Sequence, residues 1–286
     1  MFTILPIKGY IDQIDGFFCD GIHAGLKPNG NNDLGFIYTK EACTVAAIFT
    51  ENRFQAAPLK HFLAYEEGFK TNFVLINSKN ANALTGRKGI EDINTLFSKL
   101  NFDLINPVMS STGVIGNRLP MEKLISGALK FDLTAKSGEN LSRAIMTTDA
   151  YPKTCLYEVK LEDGSSFKIG AVAKGAGMIN PNLATMLCFI CTDADVPYKD
   201  IKEALNKNKE TTFNAISVDG DTSTNDTVMV LANGKSNAYN KDAFCEALRL
   251  VMHDMAMLMV ADGEGAKKVA AFEVKNAATK EDAIKA

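Results

Sequence analysis

Hydrophobic positions in the first half of the chain form short runs separated by Gly, Asn and Pro. Runs rich in β-branched and aromatic residues predict strands at Gly16–Gly21, Leu34–Thr39, Cys43–Thr50 and Phe73–Asn77. A helical period predicts helices at Glu91–Leu100 and Met121–Phe131. Between these helices, the segment Pro107–Gly116 is an apolar strand that opens into a turn of small residues.

The second half continues the mixture of helices and strands. The pattern predicts helices at Glu139–Met146, Tyr198–Leu205, Lys241 to about Gly263, and Lys280–Ala286. It predicts strands at Cys155–Leu161, Phe167–Ala173, Met186–Cys191, Thr227–Ala232 and Val269–Val274. Asp163-Gly164 marks a hairpin between the first two of these strands.

Composition places the chain among ordinary globular proteins. Its 286 residues are 46% apolar and 23% charged, enough for one large domain or two smaller ones. A net charge of −3 offers no basic surface for nucleic acid, so we expect small-molecule partners. The most apolar segment, Phe244–Ala261, contains four ionisable residues and is predicted to be a core helix and not a membrane span.

Several apparent motifs are better explained as ordinary structure. The N-terminal run lacks the charged start of a signal peptide, and the six cysteines lie mostly in apolar runs, which predicts reduced, buried thiols in the cytoplasm. The pair Cys188 and Cys191 has no second pair or His at metal spacing. Asp219 and Asp221 imitate a calcium loop that then lacks its Gly and its bidentate Glu. We therefore expect no metal and no bound cofactor.

The stretch from Lys174 to Ala194 carries the most informative chemistry. A Gly-rich turn is followed by Asn180-Pro181-Asn182, and Ala184-Thr185 then leads into an apolar run. If the Thr185 hydroxyl attacked the Ala184 carbonyl, hydrolysis of the resulting ester would leave a free α-amine on Thr185. Such an amine, with an ordinary pKa of about 7.7–8.0, can act as the base for its own hydroxyl. The alternative is an ordinary loop that enters a core strand.

A second candidate lies at the end of the strand in Pro107–Gly116. Thr112 and Gly113 could direct a hydroxyl and a backbone N–H at one point, as an oxyanion hole requires. Turns of Ser, Thr and Gly are common after strands, so an ordinary turn is the alternative here.

Seven segments together resemble one enzyme family. They are GLKPNGNNDLGFIY, AAIFTENRFQAAP, NSKNANALTG, SSTGVIG, KGAGMINPNLATML, SVDGDTSTND and ADGEGA, and they span nearly the whole chain. In this order they resemble the ornithine acetyltransferase family, the bifunctional glutamate N-acetyltransferases of arginine biosynthesis.

The resemblance implies a fold and a reaction. The fold would be α/β, the DmpA/ArgJ-like fold of packed β-sheets flanked by helices. Self-cleavage between Ala184 and Thr185 would give an α chain, residues 1–184, and a β chain, residues 185–286, assembled as α2β2. Thr185 would then carry acetyl from N-acetylornithine to glutamate. Some members also accept acetyl-CoA, and no local motif decides whether this chain does.

The resemblance also implies roles for individual residues. Thr112 and Gly113 match the oxyanion-hole pair, and Thr185 matches the nucleophile. The substrate-binding positions match Thr147 or its neighbour Thr148, Lys174, Thr185 and Glu264. Lys174 would pair with a substrate carboxylate and Glu264 with an amino group.

Two departures from the family pattern bear on these expectations. Lys79 stands where the family usually has Gly, which would reshape that loop. The sequence ends at Ala286, whereas family members continue, so we expect reduced or absent transferase activity. Two alternatives stay open: a related self-processing aminopeptidase with an N-terminal nucleophile, and a truncated, non-catalytic remnant.

Overall fold

A nine-stranded mixed sheet runs through the described part of the chain. The structure, a computed structural model, describes residues 1–180 and 186–285. The strands are β1 (Phe2–Pro6), β2 (Phe17–Ile22), β3 (Leu34–Phe49), β4 (Lys70–Asn77), β5 (Val108–Ser111), β6 (Lys153–Leu161), β7 (Ser166–Lys174), β8 (Leu187–Thr192) and β9 (Thr227–Ala232). The helices are α1 (Ala57–Phe62), α2 (Gly86–Ser98), α3 (Met121–Ala128), α4 (Gly138–Ala144), α5 (Tyr198–Lys209), α6 (Lys241–Ala261) and α7 (Lys280–Lys285).

The long strand β3 joins the two halves of the sheet. The order of strands is β1-β6-β7-β8-β9-β3-β4-β5, and β2 also pairs with β3. The first part of β3 pairs with β2 and β4, and its second part, Thr44–Phe49, pairs with β9. The register with β4 shifts between Tyr38 and Cys43, where β3 carries extra residues. Such an irregularity bends a strand, and here it lets one strand serve both halves.

The two halves of the sheet face each other across an apolar core. Val74 and Ile76 of β4 share this core with Val172 of β7, Phe189 of β8 and Met229 of β9. A second core lies between the outer face of β6–β9 and helices α5 and α6, and a third lies between β3–β5 and helices α2 and α3. The layers are therefore helix, sheet, sheet and helix, which confirms the expected packed sheets flanked by helices.

Helix α6 and strand β8 show why these sequences adopt these elements. Residues such as Phe244, Leu248, Val251 and Met255 recur every three or four positions and are buried, and the side chain of Asn240 caps the helix by accepting the Ala243 N–H (3.0 Å). All six residues of β8 are buried, because the strand is covered on both faces. A strand in this position has a near-continuous apolar run and not an alternating pattern. The predicted core helix is confirmed. In the described residues, no helix is long and apolar enough to cross a membrane.

The pattern missed one strand, and two of its expectations were wrong. β1, which pairs antiparallel with β6, was not predicted, because Pro6 and Lys8 break its short apolar run. The two strands expected from residue 34 to residue 50 are one continuous strand, β3. The strand expected at Val269–Val274 is not formed; these residues are exposed, and Phe272 is 93% accessible.

Candidate active site

One pocket brings together the described members of the predicted site. It has a volume of about 690 Å³, and its lining includes Thr112, Gly113, Thr147, Lys174 and Glu264. Thr148, the alternative to Thr147, lines it too. These residues come from the ends of β5, α4, β7 and α6, so the pocket exists only in the folded chain. The predicted cleavage pair, Ala184 and Thr185, lies outside the described residues.

The turn after β5, residues 112–116, is held to the loop that follows β4. The Thr112 N–H donates to the Asn77 carbonyl (3.0 Å), and the Val114 N–H donates to the Lys79 carbonyl (3.0 Å). The intervening Gly113 N–H and the Thr112 hydroxyl have no hydrogen-bond partner among the described residues. A free N–H and a free hydroxyl at the edge of a pocket are the donors that a developing oxyanion needs.

Gly113 is required by the close approach of two backbones. Its φ is +131°, which side-chain-bearing residues rarely adopt, and a Cβ at this position would lie 2.2 Å from the Lys79 carbonyl carbon. The sequence suggested a Gly here for its exposed N–H, but the packing of this turn on the Lys79 loop demands it as well.

Lys174, the last residue of β7, is a buried cation at the inner end of the pocket. Only 3% of the residue is accessible, and its ammonium group has neither a hydrogen bond nor a salt bridge within residues 1–180 and 186–285. Burial lowers the pKa of Lys174, and the negative charge of Asp149 opposes that shift. A buried ammonium group with unused donors fits a carboxylate ligand.

A buried ion network supports Lys174 from behind. Lys153, fully buried, donates to Asp149 Oδ1 (2.7 Å) and to Asp262 Oδ2 (2.6 Å). Asp149 also accepts the backbone N–H groups of Thr147 (3.0 Å) and Gly175 (2.7 Å). Burial alone would raise the pKa of Asp149, but the positive charges of Lys174 and Lys153 bring it below its ordinary value. The network thus fixes the Thr147 loop and the Gly175 turn against one carboxylate.

Glu264 reaches the pocket because Gly177 has no side chain. The Glu264 N–H donates to the Ala176 carbonyl (2.8 Å), which places the residue beside the Gly-rich turn. A Cβ on Gly177 would lie 2.7 Å from the Glu264 carboxyl carbon and 2.8 Å from Oε1. The Gly-rich turn, which showed no nucleotide-binding pattern in the sequence, therefore makes room for a carboxylate.

Four charged residues line the pocket that the sequence did not assign to the site. They are Lys27, Lys79, Asp219 and Asp221. Lys27 donates to the Asn32 carbonyl (2.7 Å) and lines the pocket, and burial lowers its pKa. Asp219 and Asp221 were considered only as imitators of a calcium loop. The closely spaced carboxylates of Asp219 and Asp221 indicate a structured loop.

The ends of the undescribed segment 181–185 are anchored on both sides. Before it, the Asp219 carboxylate accepts the N–H groups of Met178 (2.6 Å) and Ile179 (2.9 Å). After it, the Met186 N–H donates to Asp226 Oδ1 (2.9 Å), and Leu187 pairs with Lys174. The predicted nucleophile is therefore followed directly by a fixed residue.

The structure also describes the residues of the other motifs considered in the sequence. Among the described residues, no group of three or more His, Cys, Asp or Glu could hold a metal ion. Cys188 and Cys191 are fully buried with free thiols, and burial raises the pKa of both. This confirms the prediction of buried core thiols. None of the three histidines lines the pocket described above.

The pocket has the charges that an amino-acid ligand requires. Lys174 offers a cation for a carboxylate, and Glu264 offers an anion for an amino group. The free donors at Thr112 and Gly113 provide a place where a carbonyl oxygen can gain negative charge. The arrangement suits acyl transfer to or from an amino group of an amino acid.

Comparisons with known proteins agree on one family. The ArgJ family model matches residues 18–286. The chain is 55% identical to the arginine biosynthesis bifunctional protein ArgJ of Wolinella succinogenes, covering 100% of this chain and 73% of that protein. It is 39% identical to the ArgJ protein of Oceanobacillus iheyensis, covering 96% of this chain and 70% of that protein.

Solved structures give the same result for the fold. The crystal structure of ArgJ from Bacillus halodurans matches with a TM-score of 0.58 and 33% identity, covering 65% of this chain and 99% of that chain. Ornithine acetyltransferase of Mycobacterium tuberculosis, complexed with ornithine, matches with a TM-score of 0.53 and 28% identity, covering 65% and 100%. A Burkholderia β-aminopeptidase, 12% identical with a TM-score of 0.51 and covering 90% and 87%, shares the fold alone.

Proposed function

Because the chain belongs to the ArgJ family, we propose that it is a self-processing acetyltransferase of arginine biosynthesis. Cleavage between Ala184 and Thr185 yields an α chain (1–184) and a β chain (185–286). The new N-terminal Thr185 takes acetyl from N-acetylornithine and passes it to glutamate, with acetyl-CoA as a further candidate donor. Two α and two β chains assemble in the cytoplasm.

The observation that carries this proposal is the shared pocket. Thr112, Gly113, Thr147, Lys174 and Glu264, the positions that the family resemblance marks as catalytic or substrate-binding, all line one pocket of about 690 Å³. Residues scattered over 153 positions of the chain would not meet in this way if each were an ordinary turn or surface residue. Their charges also match a zwitterionic amino acid.

The lengths of the matched solved chains support the cleavage position. The Bacillus halodurans and Mycobacterium tuberculosis chains are covered almost completely, yet each aligns with 65% of this chain. Residues 1–184 make up nearly that share of 286 residues. A chain that ends where we place the cut would give such a match.

In the proposed reaction, each pocket residue has a distinct task. Lys174 binds the α-carboxylate of the amino acid, and Glu264 pairs with the free amino group of N-acetylornithine, because the acetylated nitrogen is a neutral amide. The Thr185 α-amine takes the hydroxyl proton as the oxygen attacks the acetyl carbonyl, and the Gly113 N–H and Thr112 hydroxyl stabilise the oxyanion. Ornithine leaves as the free amine, and the glutamate amino group then attacks the acetyl ester in the reverse sense.

The first test is intact-mass measurement of the purified wild type and of Thr185→Ala, with Thr95→Ala as a control on the exposed face of α2. We expect two fragments that begin at Met1 and Thr185 for the wild type and the control, and one uncut chain for Thr185→Ala. A wild type that stays intact would overturn the proposal. Acetyl transfer is then measured with N-acetylornithine and glutamate, and release of free acetate instead of N-acetylglutamate would indicate a hydrolase.

A further inference from the structure

Lys79 is an exposed cation at the rim of the candidate site. It lines the same pocket as Thr112, Gly113 and Lys174, and its ammonium group forms neither a hydrogen bond nor a salt bridge with any residue that the structure describes. Most lysines of a protein are exposed, so exposure alone assigns no role. The backbone around Lys79 distinguishes it from other surface lysines.

The backbone of Lys79 is fixed by its two neighbours. Ser78 and Asn80 are both buried. The Ser78 hydroxyl donates to the Ala144 carbonyl (2.6 Å), and Asn80 Nδ2 donates to the Arg118 carbonyl (2.9 Å). The Lys79 side chain therefore starts from a fixed point, and only its flexible stem can move.

That fixed point lies against the proposed oxyanion hole. The Lys79 carbonyl accepts the Val114 N–H (3.0 Å), and a Cβ on Gly113 would lie 2.2 Å from the Lys79 carbonyl carbon. A lysine has a flexible four-carbon stem. From this base the ammonium group can reach a ligand group that is joined to the reacting atoms by a short chain, but not one that is many bonds away.

Lys79 also holds a backbone conformation that favours Gly. Its φ is +78°, in the left-handed region, which is unfavourable for a residue with a side chain. Asn77 Nδ2 donates to the Asn80 carbonyl (2.9 Å) and closes the turn around Lys79. Strained residues cluster at catalytic and ligand-binding sites. Gly would form this turn without the strain, so the ammonium group is what a Lys adds here.

The two amino acids of the proposed reaction differ in the charge of their side chains. Both carry an α-carboxylate, for which Lys174 is the proposed partner. N-acetylornithine ends in an ammonium group, which Glu264 attracts, whereas glutamate ends in a carboxylate, which Glu264 repels. The side-chain carboxylate of glutamate is therefore better placed against a different cation. Lys27 in the pocket lining already donates to the Asn32 carbonyl (2.7 Å), whereas Lys79 has no partner in the described chain.

We propose that Lys79 is a specificity-determining residue that binds the side-chain carboxylate of the acceptor, glutamate. This role rests on the proposed function, because it takes glutamate as the acceptor. In glutamate this carboxylate is only a few bonds from the amino group that attacks the acetyl ester, which suits a cation beside the oxyanion hole. The phosphates of acetyl-CoA are separated from its thioester by the whole pantetheine chain, so they do not suit this position.

The test measures the affinity of the purified protein for glutamate by titration calorimetry in the wild type, Lys79→Met and Lys88→Met. Lys88 is the matched control, because it is an exposed lysine without an ion pair in the described chain and is not part of the pocket lining. Met keeps most of the stem and removes the charge. We expect Lys79→Met to bind glutamate about fivefold more weakly than the wild type, as the loss of a partly exposed ion pair does, and Lys88→Met to bind like the wild type.

Glutamine separates recognition of charge from general damage to the pocket. It has the shape of glutamate without the side-chain charge, so loss of an ion pair weakens the binding of glutamate and leaves that of glutamine unchanged. The wild type should prefer glutamate over glutamine by about fivefold, and Lys79→Met should bind the two alike. Lys79→Arg should restore the preference. Lys79→Gly should lose it although Gly favours this φ, which excludes misfolding as the cause.

The outcomes distinguish the role of Lys79 from the proposed function. A wild type that stays uncut in the intact-mass measurement overturns the proposed function, and the glutamate titration still decides the role of Lys79. A cut wild type that binds glutamate and glutamine equally, or that binds no glutamate, overturns the role of Lys79 alone. An unchanged preference in Lys79→Met, or an equal loss in Lys88→Met, also overturns it.

Discussion

Replacing Lys153 with Met removes the cation at the centre of the ion network behind the pocket. Lys153 is fully buried and donates to two carboxylates, at 2.7 Å on Asp149 and 2.6 Å on Asp262. Met keeps most of the apolar side chain and loses the charge. Two buried carboxylates would then lose the cation that contacts both of them, although Asp149 keeps the charge of Lys174 nearby and its bonds from the Thr147 and Gly175 N–H groups.

The expected loss of stability follows from this geometry. Removal of one partner from a buried ion pair typically costs about 3–5 kcal/mol, because the remaining charge stays buried and uncompensated. A typical domain has only about 5–15 kcal/mol of stability in total, so the loss is readily measured. The exposed pair of Lys160 and Glu158 provides a control, and Lys160→Met should cost no more than about 1 kcal/mol.

The effect should also depend on pH. The pKa of Asp149 is depressed in the folded chain, so the carboxylate contributes stability above the ordinary Asp pKa, and this contribution is lost as pH falls through the depressed value. Without Lys153 this contribution shrinks or reverses. The free-energy difference between wild type and Lys153→Met is therefore largest near neutral pH and smaller in acid.

Urea unfolding followed by circular dichroism measures both effects at pH 7 and at about pH 3, which lies below the ordinary Asp pKa of about 3.9. A loss below about 1 kcal/mol, similar to that of Lys160→Met, would refute the reasoning that this network is a stabilising, paired set of charges. A loss that is equal at both pH values would refute the assignment to buried carboxylates. The double variant Lys153→Met with Asp149→Asn should recover part of the loss, because it removes one of the unpaired charges.

Two further predictions concern the Thr112 turn and the buried thiols. Gly113→Ala should lower the unfolding free energy by about 1–3 kcal/mol in urea titrations, because a Cβ would clash with the Lys79 backbone. Gly116 has a φ of +90° but open space around it, so Gly116→Ala should lower the unfolding free energy by less. Equal losses in the two variants would contradict the clash. Buried cysteines should react with a thiol reagent at pH 8 only after urea is added, because burial raises the pKa of their thiols. Rapid labelling of the native chain at these positions would contradict their burial; they are Cys19, Cys43, Cys188 and Cys191.

The fold was predictable from the sequence where the local pattern and the tertiary environment agree. β8 and α6 are examples, because one is apolar throughout and the other has a single apolar face. The strand expected at Val269–Val274 does not form, because there the local pattern and the tertiary environment disagree. Its apolar and β-branched residues fit a strand, but these residues pair with no sheet edge in the described chain, and a strand without a partner is not stable alone. β1 has a poor pattern and forms because β6 offers it an edge.

The site was predictable as far as single residues have distinctive chemistry. A Thr-Gly turn after an apolar strand and a Gly-rich turn before Ala184-Thr185 are visible in the sequence. Asp149, Lys153 and Asp226 were not identified, because an Asp or Lys that will be buried looks the same in a sequence as one on the surface. Only the fold shows that Lys153 is inaccessible and that Asp226 is buried beside the start of β8.

Lys79 departs from the family pattern at a position where the backbone is strained. It stands where the resemblance led us to expect Gly, and its φ of +78° lies in the left-handed region, which costs an ordinary residue about 1–2 kcal/mol. Its carbonyl nevertheless accepts the Val114 N–H (3.0 Å), and its backbone still packs on Gly113. Gly would avoid the strain but would lose more conformational freedom on folding, which offsets part of the difference. The loop therefore accommodates Lys79 with its backbone contacts to the Thr112 turn in place, and the Lys79 side chain adds a positive charge to the pocket lining.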